Sequence, residues 1–171
     1  IQVGMTLPTE GFAVNDAAKG NEGMQIWLDE INGNGGLEIG DEQREIEIIT
    51  RDDRSQVERA TRMYEEMITE DEVDALLAPF SSTLTAATAA IASANDTFMA
   101  SCGAASPDIF NEGYENIISV DEVTTNQGPN QVSSLVELLD IESIGIIHED
   151  TELPANLADG VVNGAEENGV E

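Results

Sequence analysis

Short apolar runs alternate with longer segments of helical periodicity along the whole chain. The run VDALLAP is nearly continuous, which is typical of a parallel strand buried on both faces. The final GVE reads as the start of a further strand. This alternation predicts an α/β fold, a doubly wound parallel sheet with helices on both faces. Strands are expected at residues 1–7, 44–53, 73–79, 97–101, 116–120 and 143–150.

The segments between these runs carry apolar residues at the spacing of a helix. The segment 13–36 ends in GNGG, a helix stop, and 55–71 has Ser55 as its expected N-cap. The expected stripe of 13–36 is Met24, Trp27, Leu28 and Ile31, and that of 55–71 is Val57, Ala60, Tyr64, Met67 and Ile68. Further helices are expected from Thr125, with Gly128-Pro129 in the first turn, and at 154–169.

A turn with two serines, Ser81 and Ser82, follows the third expected strand and opens a helix of small residues. In an open parallel sheet, ligands bind outside the carboxyl ends of the strands, where helix N-termini with unpaired N–H groups converge. Such a helix start can hold a carboxylate without a basic side chain. The alternative is that either serine only caps the helix. The loop 101–110, with Gly103, Ala104 and Ala105, lies at the same edge and leaves its backbone accessible.

The net charge of the chain argues against some classes of binding partner. The formal net charge is −29, from 35 acidic and 6 basic residues, so binding to nucleic acid or to anionic lipid is not expected. A large acidic excess with almost no lysine is typical of proteins adapted to high salt, where ions screen the repulsion. The acidic clusters 70–74 and 149–152 lack the ligand pattern of a calcium loop and are interpreted as solvated surface.

An enzyme is not expected. His148 and Cys102 are the only histidine and cysteine, so no disulfide, thiolate metal site or nucleophile–base pair is apparent, and Cys102 is expected to be a small buried residue. The GNGG at 33–36 follows a helix, whereas a phosphate loop joins a strand to a helix. No cofactor, metal or catalytic residue is therefore predicted.

Several sequence segments, distributed in order over essentially the whole chain, are similar to the sequences of one protein family. They are VGMTLPTEGF, LDEINGNGGLEIG, IEIITRDDRSQVERATR, VDALLAPFSS, GAASPDIF, NQGPNQ and IGIIHEDTELPANLADGV. The chain resembles the extracellular solute-binding proteins of the branched-chain amino-acid type, with the type I periplasmic-binding fold. The resemblance implies a two-lobed receptor that closes on an amino acid or similar solute and delivers it to the membrane permease of an ABC transporter.

The resemblance also implies roles for single residues. Ser82 matches the serine that holds the ligand carboxylate, and Gly103 matches the residue whose carbonyl takes the ammonium. Three positions depart from the family pattern: Ala105 lacks an assisting hydroxyl, and Asp16 and Leu153 stand where aromatics often line the cleft. Asp16 pairs with a ligand cation or is an exposed loop acid.

The family's length implies that the chain is a fragment. The expected parts are an N-terminal ligand-binding lobe at 1–121 and, at 122–171, a crossover with the first strand and helix of a second lobe. Apolar surface left without partners is expected to favour self-association. No apolar run is long enough to span a membrane. The resemblance implies an extracellular location, at the cell surface, with anchoring through a missing N-terminal segment. The alternative function is the ligand-binding sensor domain of a signalling receptor.

Overall fold

The computed structural model describes residues 1–171, and its centre is a five-stranded parallel sheet. The strands are β1 (Gln2–Thr6), β2 (Leu37–Ile39), β3 (Glu42–Arg44), β4 (Glu47–Arg51), β5 (Ala75–Leu77), β6 (Met99–Ser101) and β7 (Ile117–Ser119). The helices are α1 (Val14–Gly33), α2 (Val57–Thr69), α3 (Ser82–Ala94), α4 (Pro107–Asn111), α5 (Thr124–Leu139) and α6 (Glu152–Asn168). The sheet order is β4-β1-β5-β6-β7, which confirms the predicted α/β class.

Strands β2 and β3 form a separate antiparallel hairpin that the sequence did not predict. Both strands are exposed, so they carry no buried apolar run that would reveal them. The connection is Gly40-Asp41, and Gly40 has a φ of 62°. A glycine with positive φ at the first position of a two-residue connection is typical of tight hairpin turns.

The main core lies on one face of the sheet, under α2 and α3. Tyr64 and Met67 of α2 are fully buried there beside Leu76 of β5 and Met99 of β6. Gly4 of β1 allows this close packing, because a Cβ there would lie 3.0 Å from both Leu76 Cδ2 and Met67 Sδ. The predicted stripe of α2 is therefore correct at its centre, whereas Val57 and Ile68 are only half-buried.

Helix α1 covers the opposite face less completely. Only Ala17 of this helix is buried, whereas Ile26 is 71% and Trp27 is 43% exposed. The predicted helix is confirmed, but its apolar stripe is not a buried one, since a pocket separates part of α1 from the strands. GNGG ends the helix as predicted, and Gly35 and Gly36 both adopt positive φ.

Ser55 does not cap α2, contrary to the prediction. The N-cap is Gln56, and Ser55 itself has a φ of 55°. Its hydroxyl instead donates to the Glu10 carbonyl at 3.1 Å and accepts from the Ala13 N–H at 3.2 Å. A contact with a loop distant in sequence therefore outcompetes the local cap.

Residues 122–171 form a pair of helices, α5 and α6, with a small core of their own around Val132, Ala165 and Val170. Helix α5 begins at Thr124, so Pro129 lies inside the helix and not in its first turn as predicted. The division of the chain at residues 121 and 122 stays a prediction.

The expected strand at 143–150 is not formed. Its backbone contacts are limited: the Ile144 N–H donates to the Glu171 carbonyl at 2.7 Å, and the Glu171 N–H donates to the Glu142 carbonyl at 3.0 Å. These two bonds have the pattern of a parallel pair. The prediction failed because a strand requires a partner along its length, and only Glu171 of the expected GVE strand lies beside this segment.

Candidate functional site

A pocket of about 350 Å³ opens between α1 and the carboxyl ends of three neighbouring strands. Its apolar wall includes Met5 and Leu7 at the end of β1, and Leu77 and Phe80 at and after the end of β5. The helix side of the pocket contributes Ala17 and Met24, with Asp16 and Asn21 as polar members; Thr6, Gly20, Ala78, Cys102 and Gly103 complete the lining. The edge of the sheet where the sequence predicted ligand binding therefore carries a cavity.

Ser81 caps helix α3 at this edge. Its hydroxyl accepts a hydrogen bond from the Leu84 N–H at 3.3 Å, and its φ of 98° is one that residues other than glycine rarely adopt. The capping interpretation is therefore correct for Ser81. No hydrogen bond of the chain uses the N–H groups of Ser82 and Thr83, which are the first two of α3. These unpaired donors are the groups with which a helix start binds an anion.

Ser82 is buried, at 3% exposure, and is not part of the pocket lining. The hydroxyl accepts a hydrogen bond from the Ser106 N–H at 3.3 Å. In this structure the side chain of Ser82 therefore ties α3 to the loop after β6. The predicted contact of this hydroxyl with a solute stays a prediction.

The loop after β6 brings Gly103 next to Ser81. The Gly103 carbonyl accepts a hydrogen bond from the Ser81 N–H at 3.0 Å, and a Cβ on Gly103 would lie 2.9 Å from Phe80 Cδ2. A carbonyl has two lone pairs, so this oxygen retains capacity for one further donor. The side chain of Ala104 is buried in the main core, and the Ala105 carbonyl accepts from the Thr124 N–H at 2.9 Å.

Asp16 lies in the first turn of α1 and not in a loop. Its carboxylate lines the pocket and pairs with the exposed Lys19 ammonium at 2.9 Å. Leu153 lies in the first turn of α6, is 38% exposed and is not part of the pocket lining. The structure thus brings Asp16 and Gly103 together around the pocket with Ser81 beside them, and leaves Leu153 apart.

Cys102 is exposed and lines the pocket, so the expectation of a buried cysteine is wrong. Partial desolvation of the thiol, together with the negative charge of Asp121, raises the pKa of Cys102 above its ordinary value. The thiol form is therefore favoured, which lowers its reactivity as a nucleophile.

Sequence reasoning missed most of the apolar lining. Leu7 directly follows β1, and Phe80 lies in the loop between β5 and α3; this position at a strand end is a signal that could have identified them. Met24 was instead expected to be part of a buried stripe. No group of three or more His, Cys, Asp or Glu side chains is arranged to hold a metal ion, and none of the helices is long and apolar enough to cross a membrane.

Comparison with known families agrees with this geometry. Residues 1–171 match the profile of the family described as periplasmic binding protein. The chain belongs to the periplasmic binding protein family. This family consists of binding proteins and not of enzymes.

Solved periplasmic binding proteins have the same fold. An ABC transporter substrate-binding protein from Desulfitobacterium hafniense superposes with a TM-score of 0.85 at 20% identity, over 99% of this chain and 48% of that one. A branched-chain amino acid transporter substrate-binding protein from Streptococcus pneumoniae, in complex with isoleucine, superposes with a TM-score of 0.85 at 21% identity. The superposition covers 96% of this chain and 46% of that one.

A third similar structure carries an aromatic acid. It is the solute binding protein of an ABC transporter from Rhodopseudomonas palustris BisB5, in complex with 3,4-dihydroxybenzoic acid. It superposes with a TM-score of 0.84 at 17% identity, over 100% of this chain and 45% of that one. The chain therefore spans about half the length of these proteins. Likeness at this level of identity establishes the type I periplasmic-binding fold.

Proposed function

We propose that this chain is the solute-binding part of an extracellular receptor that captures an amino acid or a related small acid and delivers it to the permease of an ABC transporter. The observation that carries the proposal is the arrangement at the start of α3. Two unpaired N–H groups, on Ser82 and Thr83, directly follow Ser81, whose own N–H donates to the carbonyl of Gly103 at 3.0 Å, and Gly103 lines the pocket.

The polar groups match the two ends of an amino acid. The N–H groups of Ser82 and Thr83 are donors for a carboxylate, and the positive end of the α3 dipole favours the negative charge. The carbonyl of Gly103 is an acceptor for an ammonium group. No basic side chain lines the pocket, so these backbone groups would carry the recognition of the acid.

The apolar wall matches the body of the solute. Met5, Leu7, Leu77 and Phe80 offer an apolar surface to an aliphatic or aromatic group. Isoleucine and 3,4-dihydroxybenzoic acid, the ligands of two similar structures, each combine a carboxylate with such a body. Leucine, isoleucine and hydroxybenzoates are therefore the first solutes to test.

The location and partners follow from the proposed role. A receptor of this kind acts outside the cell or in the periplasm, and two of the similar proteins are substrate-binding proteins of ABC transporters, which favours transport over the sensor alternative. Anchoring at the cell surface through a preceding segment and self-association of this chain remain predictions. The interpretation of 1–121 as an N-terminal ligand-binding lobe and of 122–171 as a crossover and part of a second lobe belongs to the same proposal.

Isothermal titration calorimetry of the purified protein against single amino acids and hydroxybenzoates tests the proposal. Ser82→Pro removes the N–H group at the first helical position, where proline is tolerated, and is expected to weaken solute binding at least about tenfold, or about 1.4 kcal/mol. Ser82→Ala retains the N–H group and removes only the hydroxyl, so a smaller loss is expected. Comparing the two variants separates the backbone donor from the side chain.

Val57→Pro is the matched control, because Val57 is the first residue of α2 and lies outside the pocket. Binding by this variant is expected to equal that of the unmodified protein. The absence of heat with every solute in the unmodified protein would contradict the proposed function. Equal affinities for the unmodified protein and Ser82→Pro would show that the start of α3 does not hold the solute.

A further inference from the structure

Ser106 joins three parts of the molecule at one buried position. It lies at 0% exposure between the loop after β6 and helix α4. Its N–H donates to Ser82 Oγ at 3.3 Å, and its Oγ accepts from Asn156 Nδ2 of α6 at 3.0 Å. The start of α3 is thereby connected through one serine to a helix of residues 122–171.

Packing of α5 against α6 holds Asn156 in place. A Cβ on Gly160 would lie 3.1 Å from the Thr124 carbonyl oxygen, a tight contact, so glycine at this position favours the close approach of α6 to the start of α5. The Thr124 N–H donates to the Ala105 carbonyl at 2.9 Å, one residue before Ser106. Asn156 also reaches Asp108 Oδ2, at 3.5 Å. Contacts from both helices of residues 122–171 therefore converge on the loop 103–108.

We infer that Asn156 is a positioning residue for the solute site: by holding Ser106, it fixes the loop that carries Gly103 and, through Ser82, the start of α3. The inference rests on the proposed function, because the loop and the helix start are the two polar walls of the proposed site. Asn156 itself touches no solute. Its effect is to order both walls before binding, so that binding does not bear the cost of ordering them.

Removal of the carboxamide tests this role in the absence of any solute. Asn156→Ala leaves the buried Ser106 hydroxyl without its donor, so the loop 103–108 is expected to open more often. Hydrogen–deuterium exchange of the purified protein should show exchange about three- to tenfold faster in peptides covering 103–108, the effect expected from loss of one hydrogen bond. Peptides from β1 and α2 should be unchanged.

Asn168→Ala is the matched control. Asn168 lies on the same helix and also donates its carboxamide to a serine, Ser133 Oγ at 3.3 Å, but that serine belongs to α5. This variant should leave the exchange of 103–108 unchanged. Asn156→Gln retains the donor and should restore most of the protection that Asn156→Ala loses, whereas a general destabilisation of α6 would not be restored.

Calorimetry with the solute that binds the unmodified protein then measures the consequence for the site. Asn156→Ala and Ser106→Ala should each weaken binding about three- to tenfold, and the double variant should be no weaker than the poorer single variant, since both remove the same contact. Unchanged exchange in Asn156→Ala would overturn the inference whether or not a solute binds. Faster exchange in a protein that binds no solute would leave Asn156 as the link to the loop and would overturn the proposed function instead.

Discussion

Gly128 of α5 and Gly160 of α6 meet backbone to backbone. A Cβ on Gly128 would lie 2.4 Å from the carbonyl carbon of Gly160, which is closer than any real contact of such atoms. Gly164 repeats the feature, with its Cβ position 2.7 Å from Pro129 Cα. The two helices can pack this closely because no side chains lie at their crossing. This crossing places Asn156 against Ser106.

Gly128→Ala should separate the helices and destabilise the protein by about 1–3 kcal/mol, the usual cost of overpacking. Urea denaturation followed by circular dichroism measures the free energy of unfolding. Gly23→Ala is the control, because Gly23 is helical but has open space around its Cβ position. That variant should be stabilised by about 0.5–1 kcal/mol, as expected for alanine in a helix. Equal stability of Gly128→Ala and the unmodified protein would contradict the close crossing.

Tyr64 donates its hydroxyl to the Leu77 carbonyl at 2.5 Å, at the point where β5 ends. The side chain is fully buried, and desolvation raises the pKa of its phenol above the ordinary value, so the group stays a donor at all ordinary pH values. Tyr64→Phe should cost about 1–3 kcal/mol, since the Leu77 carbonyl loses this buried hydrogen bond. Denaturation of Tyr114→Phe provides the comparison, because Tyr114 is only half-buried beside the core and should matter less. Equal losses in the two variants would refute the special role of Tyr64.

The parallel sheet could be predicted because each of its strands lies in a short apolar run of the sequence. Strands β1, β4, β5, β6 and β7 all lie within the segments expected from the sequence. The β2–β3 hairpin could not be predicted, because Glu42–Arg44 is polar and exposed and the hairpin depends on its turn. The prediction of a strand at 143–150 was wrong for the opposite reason. This segment is apolar enough for a strand, but a strand also requires a neighbouring strand to pair with, which an apolar pattern does not reveal.

The site was predictable only where backbone position determines the chemistry. Ser81 and Gly103 follow strands β5 and β6, so parallel topology alone brings them to one edge. The direction of the Ser82 hydroxyl was not predictable, because it depends on the Ser106 N–H, 24 residues away. Nothing in the sequence pointed to the contact of Asn156, since its partner, Ser106, lies 50 residues away in the chain.

Asp52 is expected to make the free energy of unfolding depend on pH. Hydrogen bonds from the backbone and the hydroxyl of Thr9, at 2.9 and 2.7 Å, and the charge of Arg54 lower its pKa to about 2. A depressed pKa in the folded state means that the stabilisation is complete above the unfolded value, about pH 3.9, and is lost as the pH falls towards the folded value. Asp52→Asn should therefore be less stable than the unmodified protein near neutral pH, and the difference should shrink below about pH 4.

Urea denaturation of both proteins over this pH range measures that difference. Asp29→Asn, on the exposed surface of α1, is the control for the loss of one negative charge. A gap between Asp52→Asn and the unmodified protein that stays constant from neutral to acid pH would contradict the role assigned to the Thr9 contacts.

The excess of negative charge predicts that folding requires salt. Five of the six basic residues already form ion pairs, and Arg51 is shared between Glu66 and Asp71 at 2.6 Å each. Most of the 35 acidic side chains therefore have no positive partner within the chain. Their repulsion extends over about 10 Å at 0.1 M salt but only about 3 Å at 1 M. Circular dichroism should show loss of helix on dilution from about 2 M to about 0.1 M potassium chloride.

A variant with fewer charges distinguishes screening from a general effect of salt on apolar burial. Replacing Glu22, Asp29 and Glu30, all exposed on α1, by their amides removes three negative charges without altering the core. If repulsion sets the salt requirement, this variant should unfold at a lower salt concentration than the unmodified protein. If salt acts by strengthening apolar burial, the two midpoints should coincide, because the buried surface is the same. A native spectrum for the unmodified protein at low salt would rule out adaptation to high salt as the reason for the charge.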